Sequence, residues 1–247
     1  MSAVLEIRNL SKRFGSVVAA ADINVSVSRG ERLGLIGTNG AGKTTFVNMV
    51  TGYVAPSGGS IALEGHDITG QPPRMINRAG ISRSFQIPQL FLTLTTEENL
   101  IAALGAANGH GVRPFKKIDA ELGQKLEELL ERFELTGHRG QLVSHLSGGV
   151  RKLIDIAIAV TRRPKVLLLD EPTSGVSSEQ KFELMNIVMD ALDGDVTVLF
   201  VEHDMDIVSR YARRVLAFFE GAIIADDVPE VALADTAVKT YIVGRPT

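Results

Sequence analysis

A chain of 247 residues that is 45% hydrophobic and 22% charged has material for one substantial core, and its composition excludes a largely disordered protein. The formal net charge of -3 gives no electrostatic case for binding nucleic acid, which calls for a basic excess or a basic face. With no cysteine there are no disulfides and no thiolate metal sites, and no apolar run is long enough to span a membrane. The opening MSAVLEIRNLSKRF lacks the apolar core of a signal peptide, so the chain is expected in the cytosol.

In chain order, residues 4–7 and 23–27 alternate apolar with polar side chains, and Gly15 and Gly30 punctuate them. This is the pattern of an antiparallel sheet with one buried face. Residues 60–63, after Pro56-Ser57-Gly58-Gly59, are expected to join it. Between these segments lies Gly37-Thr38-Asn39-Gly40-Ala41-Gly42-Lys43-Thr44, followed by Thr45, which fits G-x-x-x-x-G-K-[ST] at every fixed position. It follows the apolar run 33–36 and opens a helical pattern carrying Phe46, Met49 and Val50, the strand, loop and helix setting that the motif requires. Its glycines let backbone N–H groups converge on phosphates, and the helix N-terminus adds partial positive charge. ATP is the expected ligand, with Lys43 on its β- and γ-phosphates and the Thr44 hydroxyl on Mg²⁺.

From about residue 87 to 160 the pattern turns helical, which predicts an inserted helical subdomain. Thr95 and Glu98 form a capping box ahead of Leu100, Ile101 and Leu104, and Leu122, Leu126, Leu129, Leu130 and Phe133 share one helix face. A glycine-containing loop is expected at 105–111 between them. The run 166–169 reads as a buried strand that delivers Asp170 and Glu171 at its carboxyl end, where open α/β sheets bind ligands. Asp170 suits Mg²⁺, and Glu171 is the candidate base for an attacking water. Ser177 and Gln180 predict a second capping box, for a helix with Phe182, Leu184, Met185 and Val188. Residues 215–224, broken by Glu220-Gly221, read as a hairpin before a short terminal helix. The fold class is therefore α/β: a P-loop NTPase core with a mostly parallel sheet, an N-terminal antiparallel β subdomain and a helical insertion, all in one domain over 1–247.

Between the phosphate loop and Asp170 stands Leu146-Ser147-Gly148-Gly149-Val150, ahead of a helix with Leu153, Ile154, Ala157 and Ile158. With these ordered motifs the chain resembles, over nearly its whole length, the nucleotide-binding subunits of ABC transporters, whose signature is L-S-G-G-Q. The resemblance implies a head-to-tail pair of ATP-binding subunits, in which Ser147, Gly148 and Gly149 face the ATP held by the partner. Gln86 matches the family's Q-loop glutamine, which reaches metal and water, and His203 matches the switch histidine at the γ-phosphate. Phe14 stands where an aromatic stacks on adenine. His66, His110, His138 and His145 lack such context and read as surface or loop residues. Two positions depart from the family: Val150 replaces the signature glutamine, and Ser177 replaces a common aspartate that faces the partner.

The stretch Arg83-Ser84-Phe85-Gln86-Ile87-Pro88-Gln89-Leu90-Phe91, with Val201-Glu202-His203-Asp204-Met205, is similar to the branched-chain amino acid uptake group. That implies an importer ATPase on the cytoplasmic face of the inner membrane. Its partners would be two integral membrane permease subunits, docking beside residues 86–100, and indirectly a solute-binding protein. The neighbouring readings are the motor of a lipopolysaccharide-type exporter and a soluble ATPase of the same family. A P-loop kinase or GTPase would leave residues 146–149 and His203 unexplained.

Overall fold

The computed structural model describes residues 3–107 and 120–243. In chain order its first half contains β1 (Ala3–Phe14), β2 (Val17–Ser28), β3 (Arg32–Gly37), α1 (Lys43–Val50), β4 (Gly58–Leu63), β5 (His66–Asp67), α2 (Pro73–Ala79) and β6 (Ile81–Ser84). Three helices follow, α3 (Thr96–Ala107), α4 (Ala120–Arg132) and α5 (Gly148–Val160). Then come β7 (Val166–Asp170), α6 (Gln180–Ala191), β8 (Thr197–Val201), α7 (Met205–Tyr211), β9 (Arg214–Phe219), β10 (Ala222–Asp227), α8 (Pro229–Ala234) and α9 (Thr236–Val238).

The strands form two sheets. The N-terminal one runs β2-β1-β4-β5, antiparallel throughout, and includes residues 60–63 as expected. The larger runs β10-β9-β3-β8-β7-β6. Its strands are parallel except β10, which turns back on β9 as the expected hairpin. Strand β7 shows why its sequence reads as a continuous apolar run. Leu167 and Leu169 pack with the helices on one face, among Ile154, Met185 and Phe200, while Val166 and Leu168 pack with α1 and the N-terminal sheet on the other. Both faces are dry, as a parallel sheet requires.

The helical stretch between β6 and β7 follows the same logic. Leu126, Leu129, Leu130 and Phe133 are all buried on the inner face of α4 and just beyond it, while the Glu and Lys residues of that helix stay outside. Gly105 belongs to helix α3, which continues to Ala107, so the expected loop does not begin there; residues 108–111, with His110, lie outside the described residues. The Ala residues around Gly105 are good helix formers and outweigh its single propensity cost.

Thr95 forms the predicted capping box: its hydroxyl accepts from Glu98 N at 3.2 Å, and its own N–H donates to the Glu98 carboxylate at 2.8 Å. Ser177 does not. Its hydroxyl reaches the Gln180 side chain at 3.2 Å, while the backbone carbonyl of Ser177 receives Gln180 N and Lys181 N in a turn that already satisfies those donors. Of the histidines read as surface residues, His66 and His145 are exposed and His138 is half-buried, with Nδ1 enclosed and unpartnered.

Thr95→Ala is expected to lower the unfolding free energy by about 1 kcal/mol in urea denaturation, and Ser177→Ala by less than about 0.5 kcal/mol. Equal losses would show that the two turns are capped alike.

Candidate functional site

Three neighbouring strands of the large sheet end at one rim, and each hands a polar side chain to the same spot. β7 ends at Asp170 and Glu171, β8 leads into Glu202 and His203, and β6 leads into Gln86. Because β7 lies between β8 and β6, Glu171 is reached from both sides. Gln86 Nε2 donates to one Glu171 oxygen at 2.8 Å, and His203 Nε2 lies 3.1 Å from the other. A carboxylate oxygen accepts, so this contact is a hydrogen bond when the His203 proton sits on Nε2. Two donors use two of the roughly four acceptor positions of a carboxylate, which fixes its plane and leaves room for a proton from a third group.

The backbone at Glu171 is left-handed, with φ 45°, a conformation that costs a non-glycine residue about 1 kcal/mol or more. Cross-strand bonds hold it there. Glu171 N donates to Val201 O at 3.1 Å, and two residues on, Thr173 N and Oγ1 both donate to buried Glu202 at 3.0 and 2.8 Å. Burial pushes the Glu202 carboxyl up, against the pull of these hydrogen bonds.

β3, next to β8, ends in the glycine-rich loop. At Gly37 a Cβ would stand 2.5 Å from Phe218 O, and at Gly42, with φ 106°, one would stand 2.6 Å from Ala19 O, so neither position has space for a side chain. Thr38, Asn39, Gly40 and Thr44 are exposed, Thr45 is half-buried and Ala41 is buried. Lys43 folds back over the loop, donating to Gly37 O at 2.5 Å and Thr38 O at 3.0 Å. Burial lowers its pKa, while the negative charges of Glu171 and Asp170 act in the opposite sense. The loop, Asp170, Glu171, Gln86 and His203 thus form one cluster.

The remaining predicted residues sit outside that cluster. Phe14, half exposed at 50%, is not a core side chain; it ends β1 opposite Val17, close in sequence to the Ala19 carbonyl that touches the loop, and Lys12 Nζ lies 5.0 Å over its ring. Ser147 caps α5, with its hydroxyl accepting from Val150 N at 3.4 Å. Ser147 and Gly148 are exposed; a Cβ at Gly148 would stand 3.4 Å from Gly175 O, and one at Gly149 would stand 3.9 Å from Leu184. Val150 packs partly into the core, which accounts for an apolar residue there.

Sequence reasoning missed the charged residues beneath the site. The Arg83 side chain is about nine-tenths buried, donates to Asp170 Oδ2 at 2.5 Å and Asn48 Oδ1 at 2.7 Å, and lies against the rings of Phe85 and Tyr53 at 4.8 and 5.7 Å. Lys152, Asp155 and Glu202 are likewise buried. The available signal was a charged residue inside an apolar strand or helix pattern, which reads equally well as a solvated face.

A parallel sheet with a glycine-rich phosphate loop after one strand, and acidic and polar groups at the ends of its neighbours, defines a nucleotide-hydrolysing protein of the P-loop class. A family model described as "ABC transporter" matches residues 20–174, and the chain belongs to that family as an ATP-binding subunit. It is 34% identical to a probable branched-chain amino acid transport ATP-binding protein, LivG, of Archaeoglobus fulgidus, over 98% of this chain and 95% of that one. It is 33% identical to the high-affinity branched-chain amino acid transport ATP-binding protein BraF of Pseudomonas aeruginosa, over 97% of each. Among solved structures, the ADP conformation of MJ1267, an ATP-binding cassette of an ABC transporter, superposes with a TM-score of 0.83 at 30% identity, covering 98% of both chains.

Both partners of the Arg83–Asp170 pair are about nine-tenths buried. Arg83→Met strands the carboxylate and is expected to cost about 3 kcal/mol in urea denaturation, with a good part recovered in Arg83→Met/Asp170→Asn. An unchanged midpoint for the single variant would show that the pair contributes nothing to stability.

Proposed function

We propose that this chain is the ATPase subunit of an ABC importer, in which residues of one chain supply most of each catalytic site and a second subunit completes it. The observation that carries this reading is the Glu171 carboxylate, held at both oxygens by Gln86 and His203 beside Lys43 and Asp170. In our reading Gly37, Thr38, Asn39, Gly40, Ala41, Gly42, Lys43, Thr44 and Thr45 wrap the phosphates, with Lys43 leaving the loop carbonyls for the β- and γ-phosphates. Phe14 stacks on the adenine; its exposed ring at the end of β1 supports that role.

Glu171 takes the proton of the attacking water, and Gln86 orients that water from the neighbouring loop. His203 holds the γ-phosphate while its contact with Glu171 keeps the two in step. Thr44, Asp170 and the amide oxygen of Gln86 are hard oxygen donors, a set that suits Mg²⁺ when phosphate oxygens and waters complete the shell. Among the described residues no group of three or more His, Cys, Asp or Glu side chains could hold a metal without such help. When bound, Mg²⁺ would neutralise phosphate charge.

Ser147 and Gly148, exposed at the start of α5, and half-buried Gly149 present a hydroxyl and a helix N-terminus to the ATP of a second, identical or paralogous subunit. Among the described residues no helix is long and apolar enough to cross a membrane; in our reading permease subunits form the passage. Ile87, Phe91 and Leu92 are exposed at 74%, 63% and 50% along the expected docking segment, which supports contact with such a subunit at the cytoplasmic membrane face. A solute-binding protein completes the system. The names of the relatives point to branched-chain amino acids as cargo; a related small polar or aromatic solute is the alternative reading.

Glu171→Gln is expected to bind ATP with wild-type affinity, lose about 10²-fold or more of its turnover, and accumulate an ATP-dependent dimer in size-exclusion chromatography. Wild-type turnover would remove Glu171 as the base. For Lys43→Ala the expected loss is in nucleotide affinity itself, about tenfold or more by titration calorimetry, and an unchanged dissociation constant would refute the phosphate assignment.

A further inference from the structure

Helix α5 has an apolar inner face, with Leu153, Ile154, Ile156 and Ala157 in the core, yet it also buries two charged side chains, Lys152 and Asp155. A spacing of three places them on one face. Lys152 Nζ donates to Phe85 O at 2.7 Å and Gln86 O at 3.0 Å, and lies 3.5 Å from Asp170 O at the end of β7. Asp155 accepts from Ser84 Oγ at 2.6 Å and from Phe85 N and Gln89 N, each at 3.2 Å. Their hydrogen bonds therefore converge on residues 84–89, where the chain leaves β6 without regular structure and its backbone groups need partners. Burial lowers the Lys152 pKa and raises that of Asp155, and each one's charge works against the shift in the other.

If packing alone mattered at these two positions, apolar residues of similar volume would serve as well or better. The charged pair does what apolar residues cannot, by gripping both the carbonyls and the N–H groups of the loop that carries Gln86. The same helix begins at Ser147, and its backbone hydrogen bonds make it stiff from that end to the pair. We propose that Lys152 and Asp155 are positioning residues that fasten the Gln86 loop to α5, so that a load on the helix at residues 147–149 is carried to Gln86 and through it to Glu171. The inference rests on Glu171 being the base. It makes the loop and the helix one mechanical body, with Lys152 bridging to the strand that holds Asp170.

The test uses the purified chain with Mg-ATP and the variants Lys152→Met, Lys152→Arg, Asp155→Asn, Gln86→Ala and Gln86→Ala/Lys152→Met. Lys152→Met and Asp155→Asn are expected to lower kcat about 10- to 100-fold with KM for ATP changed less than about threefold, and Lys152→Arg to keep about a third or more of kcat. The double variant is expected to lose no more than the worse single one, because Lys152 acts through Gln86. Unchanged kcat in Lys152→Met, or losses that multiply in the double variant, would overturn the proposal.

Amide hydrogen exchange in the wild type gives a readout that does not depend on any variant folding. The amides of Phe85 and Gln89, held by Asp155, are expected to exchange about 10²-fold more slowly than those of Gln86 and Ile87, and equal rates would overturn the clamp. Glu171→Gln in the Mg-ATP turnover assay separates the two ideas. Wild-type turnover there sinks the base assignment, whereas loss of turnover with multiplying Gln86 and Lys152 effects sinks the clamp alone.

Discussion

The site depends on one constraint, the position of β7 between β8 and β6 in a parallel sheet. Parallel strands all end at the same rim, so three neighbours deliver three consecutive loops side by side. Glu171 takes the middle place, and the two groups that hold it come from the strands on either side. With β3 on the far side of β8, the phosphate loop completes the row. No local feature of Glu171 would achieve this geometry; the order of the strands does.

Beneath that rim the molecule departs from an apolar core. Arg83 under Asp170, Glu202 under Thr173 and the Lys152–Asp155 pair under the Gln86 loop are buried charges with hydrogen-bonded partners. Each ties backbone or carboxylate groups of one strand end to another element. Such pairs are costly to desolvate, and apolar packing would supply equal or greater stability. What they add is direction, since a hydrogen bond fixes an angle where a methyl contact does not. The left-handed backbone at Glu171 persists within this frame of cross-strand bonds.

Much of this was legible in the sequence, for identifiable reasons. The phosphate loop is legible because its chemistry demands fixed residue types at fixed spacing, and β7 because a strand dry on both faces must be continuously apolar. The Thr95 cap was readable from a four-residue pattern. The same pattern failed at Ser177, where a backbone turn had already satisfied the donors. Gly105 failed as a loop marker because neighbouring alanines carry the helix past it. The buried charges were illegible for a deeper reason: a lysine in a helix looks solvated until its tertiary partners are known. Strand order was equally hidden, since Arg32 pairs with Val198 across most of the chain and no short pattern records that.

That long-range pairing bears on how the protein is made. The phosphate loop is synthesised early, but β3 gains its neighbours β8 and β9 only when residues 197–219 have been delivered. Until then the glycine-rich segment has no strand partner in the large sheet and no frame to hold its curve. Non-local parallel pairing forms slowly and leaves apolar strands waiting. A chain still on the ribosome with β8 inside the exit tunnel therefore cannot hold its nucleotide as the finished protein does, and ATP can stabilise the fold only after β8 and β9 have emerged.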